Sequence, residues 1–290
     1  MTPGLSAKNG SPLAGTVARL ADLDSEHVRL ELGPRAGERW LDLDAVLAEG
    51  VLDLLFADAE ARAAGRRDYL GASVAASLSD AVVTAGWPAL LLDRRLPDLS
   101  PANLAVHRHE PEGWFDRIAV RDARCWVLSD DPAADNPDAT TVADLAELHD
   151  RFAAAVVDAV TPWFTAVRQR APFGRRGMWG QLADDLCGTA LWMARRAGID
   201  QHAAWAEAHA VLDRLAADVP EVRVRPRLFP VSWNQRDTLF QVKGTCCLWY
   251  KTQPAPDACG NGYCGTCPFR DDDARRSRLT SWLEEEAAAG

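Results

Sequence analysis

The sequence predicts an α+β fold: mixed helices with a small antiparallel sheet and a C-terminal cysteine-rich segment. Three observations lead to this prediction. Short alternating apolar patterns are typical of strands, long apolar stripes recur at helical spacing, and five of the seven cysteines fall within residues 246–267. The chain has 290 residues, of which 48% are hydrophobic and 26% charged, as in globular proteins that bury a core without covalent links.

The first half of the chain mixes both kinds of pattern. Alternation over 28–32 predicts a half-buried strand, and a helix is expected from about Asp42 to Arg62. Apolar residues between Tyr69 and Val83 predict a second helix, which Gly86 would close before a short buried strand at 89–92.

A sheet region follows. Leu104–Val106 and the alternation from Ile118 to Trp126 predict paired strands around a turn at 111–113. The acidic, proline-containing stretch 129–140 is expected to be a surface loop and the best candidate for an internal boundary.

The second half is mainly helical. One apolar stripe runs from Val142 to Val167, with a kink or break expected at Pro162. Further helices are predicted over 179–191, stopped by Gly198, and over 202–217. A strand-like pattern at 222–242 leads into the cysteines, and a terminal helix is expected to dock Leu279 and Trp282.

These patterns divide the chain into four parts. Residues 1–14 are polar and rich in Gly, Pro and Ser, and are expected to be a disordered tail. Residues 15–243 form the expected α+β domain, 244–270 the cysteine segment and 271–290 the C-terminal helix.

Charge and hydropathy limit the partners. The 32 basic and 42 acidic side chains give a net charge of −10, which argues against a general binder of nucleic acid or anionic membranes. No apolar run reaches the roughly 18 residues of a membrane-spanning segment, and the first residues lack the apolar core of a secretion signal. We therefore expect a cytoplasmic protein, in which structural disulfides are rare.

The clustered cysteines thus indicate a metal or redox centre. Several thiolates together select zinc or an iron–sulfur cluster. The adjacent pair Cys246–Cys247 can chelate a single ion only if the backbone bends, for which Gly244 could provide the freedom. A cluster of two irons relaxes this demand, whereas zinc usually takes two C-x2-4-C hooks. The lone Cys125 and Cys187 are expected to be core residues.

The literal G-x-G-x-x-G at 260–265 is not a dinucleotide site. It lies between Cys259 and Cys267, with Pro268 directly after, and lacks the flanking strand and helix that such a site needs. No nicotinamide or flavin site is visible in the sequence, so electrons for a redox centre would come from an external donor.

The vicinal pair in C-C-L-W-Y-K, followed by C-G-T-C, resembles the C-terminal motif of the FhuF-like ferric-siderophore reductases. The helical segment R-R-G-M-W-G-Q-L-A-D-D-L at 175–186 also fits that family, and the resemblance extends over roughly residues 65–270. In this family the double cysteine, a ten-residue gap and C-x2-C together hold a 2Fe–2S cluster.

The resemblance implies a 2Fe–2S cluster on Cys246, Cys247, Cys264 and Cys267. It implies one-electron reduction of a ferric siderophore, with a ferredoxin or an NAD(P)H-dependent reductase as the electron donor. The chain departs from the family because sixteen residues separate Cys247 from Cys264, and the insertion contains Cys259. Cys259 would give a gap of eleven and is therefore an alternative ligand.

Two other functions remain open from the sequence: a zinc-stabilised binding or scaffold module, and a redox-sensing iron–sulfur protein in siderophore metabolism. Basic side chains of the C-terminal half could also form a rim near the cluster that attracts an anionic chelate. They are Arg168, Arg170, Arg175, Arg176, Arg223, Arg225, Arg227, Arg236, Lys243 and Lys251.

Overall fold

The structure is a computed structural model, which describes residues 10–23, 29–48, 50–63, 65–109, 114–252 and 262–289. The turn expected at 111–113, Cys259 and residues 1–9 of the expected tail lie outside this part of the chain.

Seven α-helices lie within the described residues. They are α1 (Pro12–Leu23), α2 (Val51–Ala63), α3 (Arg67–Asp93), α4 (Leu145–Arg170), α5 (Arg175–Ala197), α6 (Gln201–Asp218) and α7 (Asp272–Ala289).

Nine strands accompany them in three small sheets, which confirms the α+β class. They are β1 (Arg29–Leu32), β2 (Trp40–Asp42), β3 (Arg95–Pro97), β4 (Leu104–Arg108), β5 (Phe115–Val120), β6 (Cys125–Leu128), β7 (Ala139–Val142), β8 (Arg227–Trp233) and β9 (Arg236–Val242).

The three sheets are not all antiparallel. The largest has the order β1-β5-β4-β2, in which β1 runs parallel to β5 and the other pairs are antiparallel. A second sheet, β3-β6-β7, contains a parallel β6–β7 pair. The third is the antiparallel hairpin β8–β9, whose turn residues Asn234 and Gln235 both have positive φ, as a tight primed turn requires.

The N-terminal expectations are met in part. Strand β1 agrees with the expected strand at 28–32 as far as it is described. Helix α1 begins at Pro12, within the segment expected to be a tail, because Leu13 is fully buried there. The helix expected from Asp42 is wrong at its start: Asp42 ends β2, and α2 begins only at Val51, after Gly50 with φ +89°.

Helix α3 corrects two further expectations, the stop at Gly86 and the strand at 89–92. It continues through Gly86 and Pro88 to Asp93, and Arg94 in the left-handed region ends it. Gly86 is needed for close packing, because a Cβ there would lie 2.7 Å from Leu99 Cδ1. An apolar run of this length cannot be assigned to helix or strand by hydropathy alone, since full burial removes the alternation.

Helix α4 likewise runs uninterrupted through Pro162. The helix end expected at Gly198 is confirmed, since Gly198 ends α5 with φ +67°. The helix expected over 202–217 is confirmed by α6.

One core unites the chain on both sides of 129–140. Trp87 of α3 packs against Phe152 of α4 with ring centroids 5.5 Å apart, and its Nε1 donates to the carbonyl of Leu186 in α5 at 3.0 Å. The same core extends from Leu30 to Val222. The loop at 129–140 therefore connects parts of one packed body.

A smaller core attaches α7 to the β8–β9 hairpin. Leu279 and Leu283 of α7 are buried against Phe229 and Val242, and Trp282 lies edge-on to Phe240. The predicted docking of Leu279 and Trp282 is therefore confirmed.

Among the described residues, one helix is long and apolar enough to cross a membrane, namely α3, and 72% of its most apolar window is buried inside the molecule. Its apolar character is explained by its central place in the core.

Replacing Trp179 tests the core. Its side chain is fully buried on α5, edge-on to Phe164 at 5.1 Å. Trp179→Ala should lower the free energy of unfolding by roughly 3–5 kcal/mol because it leaves a large cavity. Trp114, which is 38% exposed, is the matched control, and its replacement by Ala should cost less than about 1 kcal/mol. Equal losses in denaturant unfolding of the two variants would contradict this packing.

Candidate functional site

The four cysteines of the predicted ligand set come from two segments that the fold brings together. Cys246 and Cys247 follow the end of β9, and Cys264 and Cys267 form a turn before α7. The two segments are joined by a backbone hydrogen bond from Lys243 N to Thr266 O at 2.9 Å. Residues far apart in sequence thus meet at one end of the hairpin.

The thiols of the two segments lie close enough to influence one another. Cys267 has the largest effect on the pKa of Cys246, and Cys264 has the largest effect on that of Cys247. Cys264 and Cys267 also interact within their turn, where Cys267 N donates to Cys264 O at 3.1 Å. All four thiols are therefore neighbours at one place.

The bend needed at the vicinal pair lies after it. Leu248 adopts the left-handed region with φ +61°, and a 3₁₀ turn over Trp249–Lys251 follows. This turn directs Leu248 N at Cys246 Sγ at 3.4 Å. Gly244 was expected to supply the bend. It instead permits close approach, because a Cβ there would lie 2.9 Å from the carbonyl carbon of Arg225.

A carboxylate on α5 holds the chain that enters the pair. Asp184 Oδ1 accepts from Gly244 N at 2.6 Å, and its Oδ2 accepts from Thr245 N at 3.0 Å. Gly180 makes room for this contact, since a Cβ there would overlap Thr245 Oγ1 at 1.9 Å. Helix α5 therefore positions the vicinal cysteines.

The C-G-T-C turn is held from the other side by two buried arginines. Arg270 Nε donates to Cys264 O at 3.2 Å. Arg275, which lies on α7 and is 1% exposed, donates to Cys267 O at 2.8 Å and to Arg270 O at 2.6 Å. The terminal helix thus contributes to the site as well as to the small core.

Charge around the sulfurs is arranged asymmetrically. The hydrogen bond with Cys267 lowers the pKa of Cys246, whereas the hydrogen bond with Cys264 and burial raise the pKa of Cys247. Burial alone would lower the pKa of Lys243, but the nearby Asp185, Cys247 and Cys264 hold it above its ordinary value. Lys243 is therefore a charged ammonium beside the thiols.

The site lies at the surface. Cys246, Cys247 and Cys264 are partly exposed, whereas Cys267 is buried. Trp249 and Phe269 beside them are 44% and 60% exposed, which is unusual for such large apolar side chains.

The site has the donor type of the expected metal centres. Among the described residues, no group of three or more His, Cys, Asp or Glu side chains is arranged to hold a metal ion. Four neighbouring cysteines are nevertheless the residue type that binds zinc or an iron–sulfur cluster.

The remaining described cysteines are core residues, as expected. Cys125 and Cys187 are buried, and burial raises the pKa of Cys125 to about 12 and that of Cys187 further above its ordinary value. Neither has the thiolate character of a ligand or nucleophile.

The expected basic rim is largely neutralised. Several of its members form ion pairs with carboxylates: Arg170 with Asp53, Arg175 with Glu221, Arg225 with Asp213, Arg227 with Asp272, and Lys251 with Asp68. These ion pairs account for the positions of the five basic side chains without any contact to a substrate.

Sequence reasoning missed Asp184 and Arg275. The signal for Asp184 was available, because a charged residue interrupts the apolar stripe over 179–191 at a position that faces the core. Nothing in the pattern of α7 distinguishes the buried Arg275 from its exposed neighbour Arg276.

The arginine on α7 can be tested directly. Arg275→Leu should lower the free energy of unfolding by at least about 2 kcal/mol, because two buried carbonyls lose charged donors. The matched control is Arg276→Leu, since Arg276 is exposed and donates only to Pro230 O at 3.1 Å. If both variants unfolded at the same denaturant concentration, Arg275 would not hold the turn.

The carboxylate on α5 should make stability depend on pH. Burial raises the pKa of Asp184 to about 7, although Gly244 N and Thr245 N favour the ionised form. An unfolded Asp releases its proton near pH ~4, so between pH 4 and 7 the folded state binds more protons than the unfolded state. The free energy of unfolding should therefore fall over this range relative to Asp184→Asn.

Iron-free, reduced protein unfolded by urea at several pH values measures this difference. The exposed Asp158 provides the control, because Asp158→Asn should leave the pH dependence unchanged. A wild-type curve parallel to that of Asp184→Asn would contradict the raised pKa.

Comparison with protein-family models, curated proteins and solved structures gave no match to this chain.

Proposed function

We propose that this protein reduces ferric siderophores in the cytoplasm by single-electron transfer from a 2Fe–2S cluster on Cys246, Cys247, Cys264 and Cys267. One observation carries the proposal: two separate segments bring four cysteine thiols together at the surface. The resemblance of both cysteine motifs to the FhuF-like reductases supports the same assignment.

The adjacent cysteines Cys246 and Cys247 are what favours two metal ions over one, because neighbouring side chains reach different atoms more easily than a single ion. Structural zinc usually takes its four donors from two C-x2-4-C hooks. Cys246, Cys247, Cys264 and Cys267 would together hold the two irons. When bound, the cluster supplies one electron at a time at a potential that its surroundings set.

The chain's own groups would set that potential. Leu248 N donates to the sulfur of Cys246 at 3.4 Å, and the ammonium of Lys243 lies near Cys247 and Cys264. Hydrogen bonds and positive charge stabilise the more negative, reduced state. Partial exposure of three of the cysteines leaves a short path to a substrate that stays outside the protein.

Reduction of a ferric siderophore needs no catalytic acid or nucleophile. A siderophore holds Fe(III) through hard oxygen donors, and one added electron gives Fe(II), which these donors hold more weakly. For one electron, each 59 mV by which the donor potential lies above that of the substrate costs tenfold in equilibrium constant. Removal of Fe(II) by a chelator or by uptake into other proteins then drives the reaction.

The electron donor is expected to be another protein, a ferredoxin or an NAD(P)H-dependent reductase. Trp249 and Phe269 are large apolar side chains that are exposed beside the cysteines. Because they could contact either molecule, donor and substrate would both approach the protein surface around these two side chains. The net charge of −10 argues against nucleic-acid partners.

Metal analysis of cysteine variants tests the ligand set. Protein reconstituted anaerobically should carry about two irons per chain and a visible spectrum that dithionite bleaches. Cys247→Ser and Cys267→Ser should each lose most of the iron, because each removes one of the ligand sulfurs. Cys259→Ser is the matched control and should keep the iron.

Two results would contradict the assignment. Colourless protein that binds one zinc per chain would show a zinc-stabilised module instead. Loss of iron from Cys259→Ser together with its retention in Cys264→Ser would show that Cys259 replaces Cys264 as a ligand.

Rate measurements separate a reductase from a redox sensor. The dithionite-reduced protein is mixed with ferric hydroxamate, catecholate or citrate complexes, and a ferrous chelator records Fe(II). A reductase should turn over repeatedly with excess dithionite, and Cys247→Ser should not. Intact iron without turnover on any of the three complexes would favour the sensor.

A further inference from the structure

A groove of about 320 Å³ lies between α5, β9, the C-G-T-C turn and α7. Gly265 and Thr266, the two residues between Cys264 and Cys267, form part of its lining. Thr266 Oγ1 lies 4.0 Å from Cys264 Sγ. A molecule in the groove would therefore be separated from a predicted ligand sulfur by the width of one side chain.

Aromatic side chains from three elements line the groove. They are Trp192 of α5, Phe240 of β9 and Trp282 of α7, and all three are partly exposed. Trp282 lies edge-on to Phe240 with ring centroids 5.7 Å apart. Aromatic surface left open in a concave place favours a ligand that contains a planar ring.

The charged side chains that line the groove are two arginines, without any carboxylate among the described lining residues. Arg195 of α5 stacks over Trp282, with Cζ 4.6 Å from the ring centroid. A stacked guanidinium keeps the donors along its edge available. Neither Arg195 nor Arg278 of α7 makes a hydrogen bond to a described residue, so their donors remain for solvent or a ligand.

The carboxylates that pair with these arginines do so loosely. Glu286 Oε1 lies 3.7 Å from Arg195 and 3.3 Å from Arg196, so two arginines share one carboxylate. Glu285 Oε1 lies 3.7 Å from Arg278, and the two side chains are 65% and 47% exposed, which makes such a pair weak. This group of side chains therefore carries a net positive charge beside the groove.

We propose that the groove is the substrate subsite of the proposed reductase, whose function this inference rests on, and that it binds one catecholate arm of an anionic ferric chelate. The aromatic ring would stack against Trp192 and Trp282. The catecholate oxygens would accept from Arg195 and Arg278, since guanidinium groups form strong hydrogen bonds with anionic oxygens.

Charge and size both favour this class of chelate. Each catecholate carries two negative charges and each hydroxamate one, so Fe(III) gives a trianionic complex with three catecholates and a neutral complex with three hydroxamates. Ligand pockets usually measure about 300–1,000 Å³, and the groove lies at the lower end of that range. It therefore accommodates one arm, while the rest of the chelate stays outside.

Gallium complexes test the subsite without electron transfer, because Ga(III) has the charge of Fe(III) but is not reduced. Isothermal titration of the purified protein at pH 8 compares the Ga(III) complexes of a hexadentate tris-catecholamide, a hexadentate tris-hydroxamate and citrate. The catecholamide complex should bind at least tenfold more tightly than the other two, because only it combines negative charge with aromatic rings. Tighter binding of either other complex, or no heat from the catecholamide complex at millimolar concentrations, would overturn the proposal.

Arginine variants locate the binding. Arg278→Met should weaken binding of the catecholamide complex roughly tenfold or more, and the exposure of this side chain makes loss of folding no concern. Arg195→Met should have a similar effect, with thermal melting as the check that it folds. The matched control is Arg276→Met, since Arg276 is exposed on the same helix outside the groove and should leave the affinity unchanged. Unchanged affinity in Arg278→Met and Arg195→Met would refute the subsite.

Failure of this inference can be told apart from failure of the proposed function. Turnover of ferric complexes without binding of the gallium catecholamide complex would overturn the groove and leave the reductase. Selective, arginine-dependent binding of that complex by protein that holds no iron would support the groove as a catecholate site and contradict the reductase.

Discussion

The contact between Asp184 and the backbone of Gly244 and Thr245 is the constraint on which the candidate site depends. It places the end of β9 against α5, a helix anchored in the main core through Trp179 and Leu186. Without it, the vicinal cysteines would be carried by a hairpin whose own core is small. A carboxyl that accepts from two backbone N–H groups satisfies two donors at once, which suits a short segment with little area to bury.

The same region concentrates buried charge. Asp80, Asp184 and Asp185 lie near one ammonium, that of Lys243, and burial raises the pKa of all three carboxyls. Burying these three carboxyls and one ammonium costs free energy of folding. Shifted pKa values of this kind are common at functional sites. The cysteines therefore lie beside a group of buried charges around Lys243.

The C-terminal helix completes the site through a different kind of interaction. Arg275 donates to the carbonyls of Cys267 and Arg270, at the end of the C-G-T-C turn and just after it, while Leu279 and Leu283 bury apolar surface against the hairpin. Each cysteine segment is thus held by a helix: α5 contacts the segment that carries Cys246 and Cys247, and α7 contacts the segment that carries Cys264 and Cys267. The arrangement resembles the support that neighbouring residues give to metal ligands, since it fixes the thiols before any metal is bound.

Local pattern by itself determined the α+β class, the end of α5 at Gly198 and the cysteines that form the candidate site, but not the helix boundaries at Asp42 and Gly86. Spacing and residue type carry that information without any knowledge of the fold. Tertiary structure alone decided that α3 continues through Gly86 and Pro88, because its full burial erases the pattern that separates helix from strand. It also decided that the two cysteine segments meet, and it decided the roles of Asp184 and Arg275. Each of these joins residues distant in sequence, and no local pattern encodes which distant groups will meet.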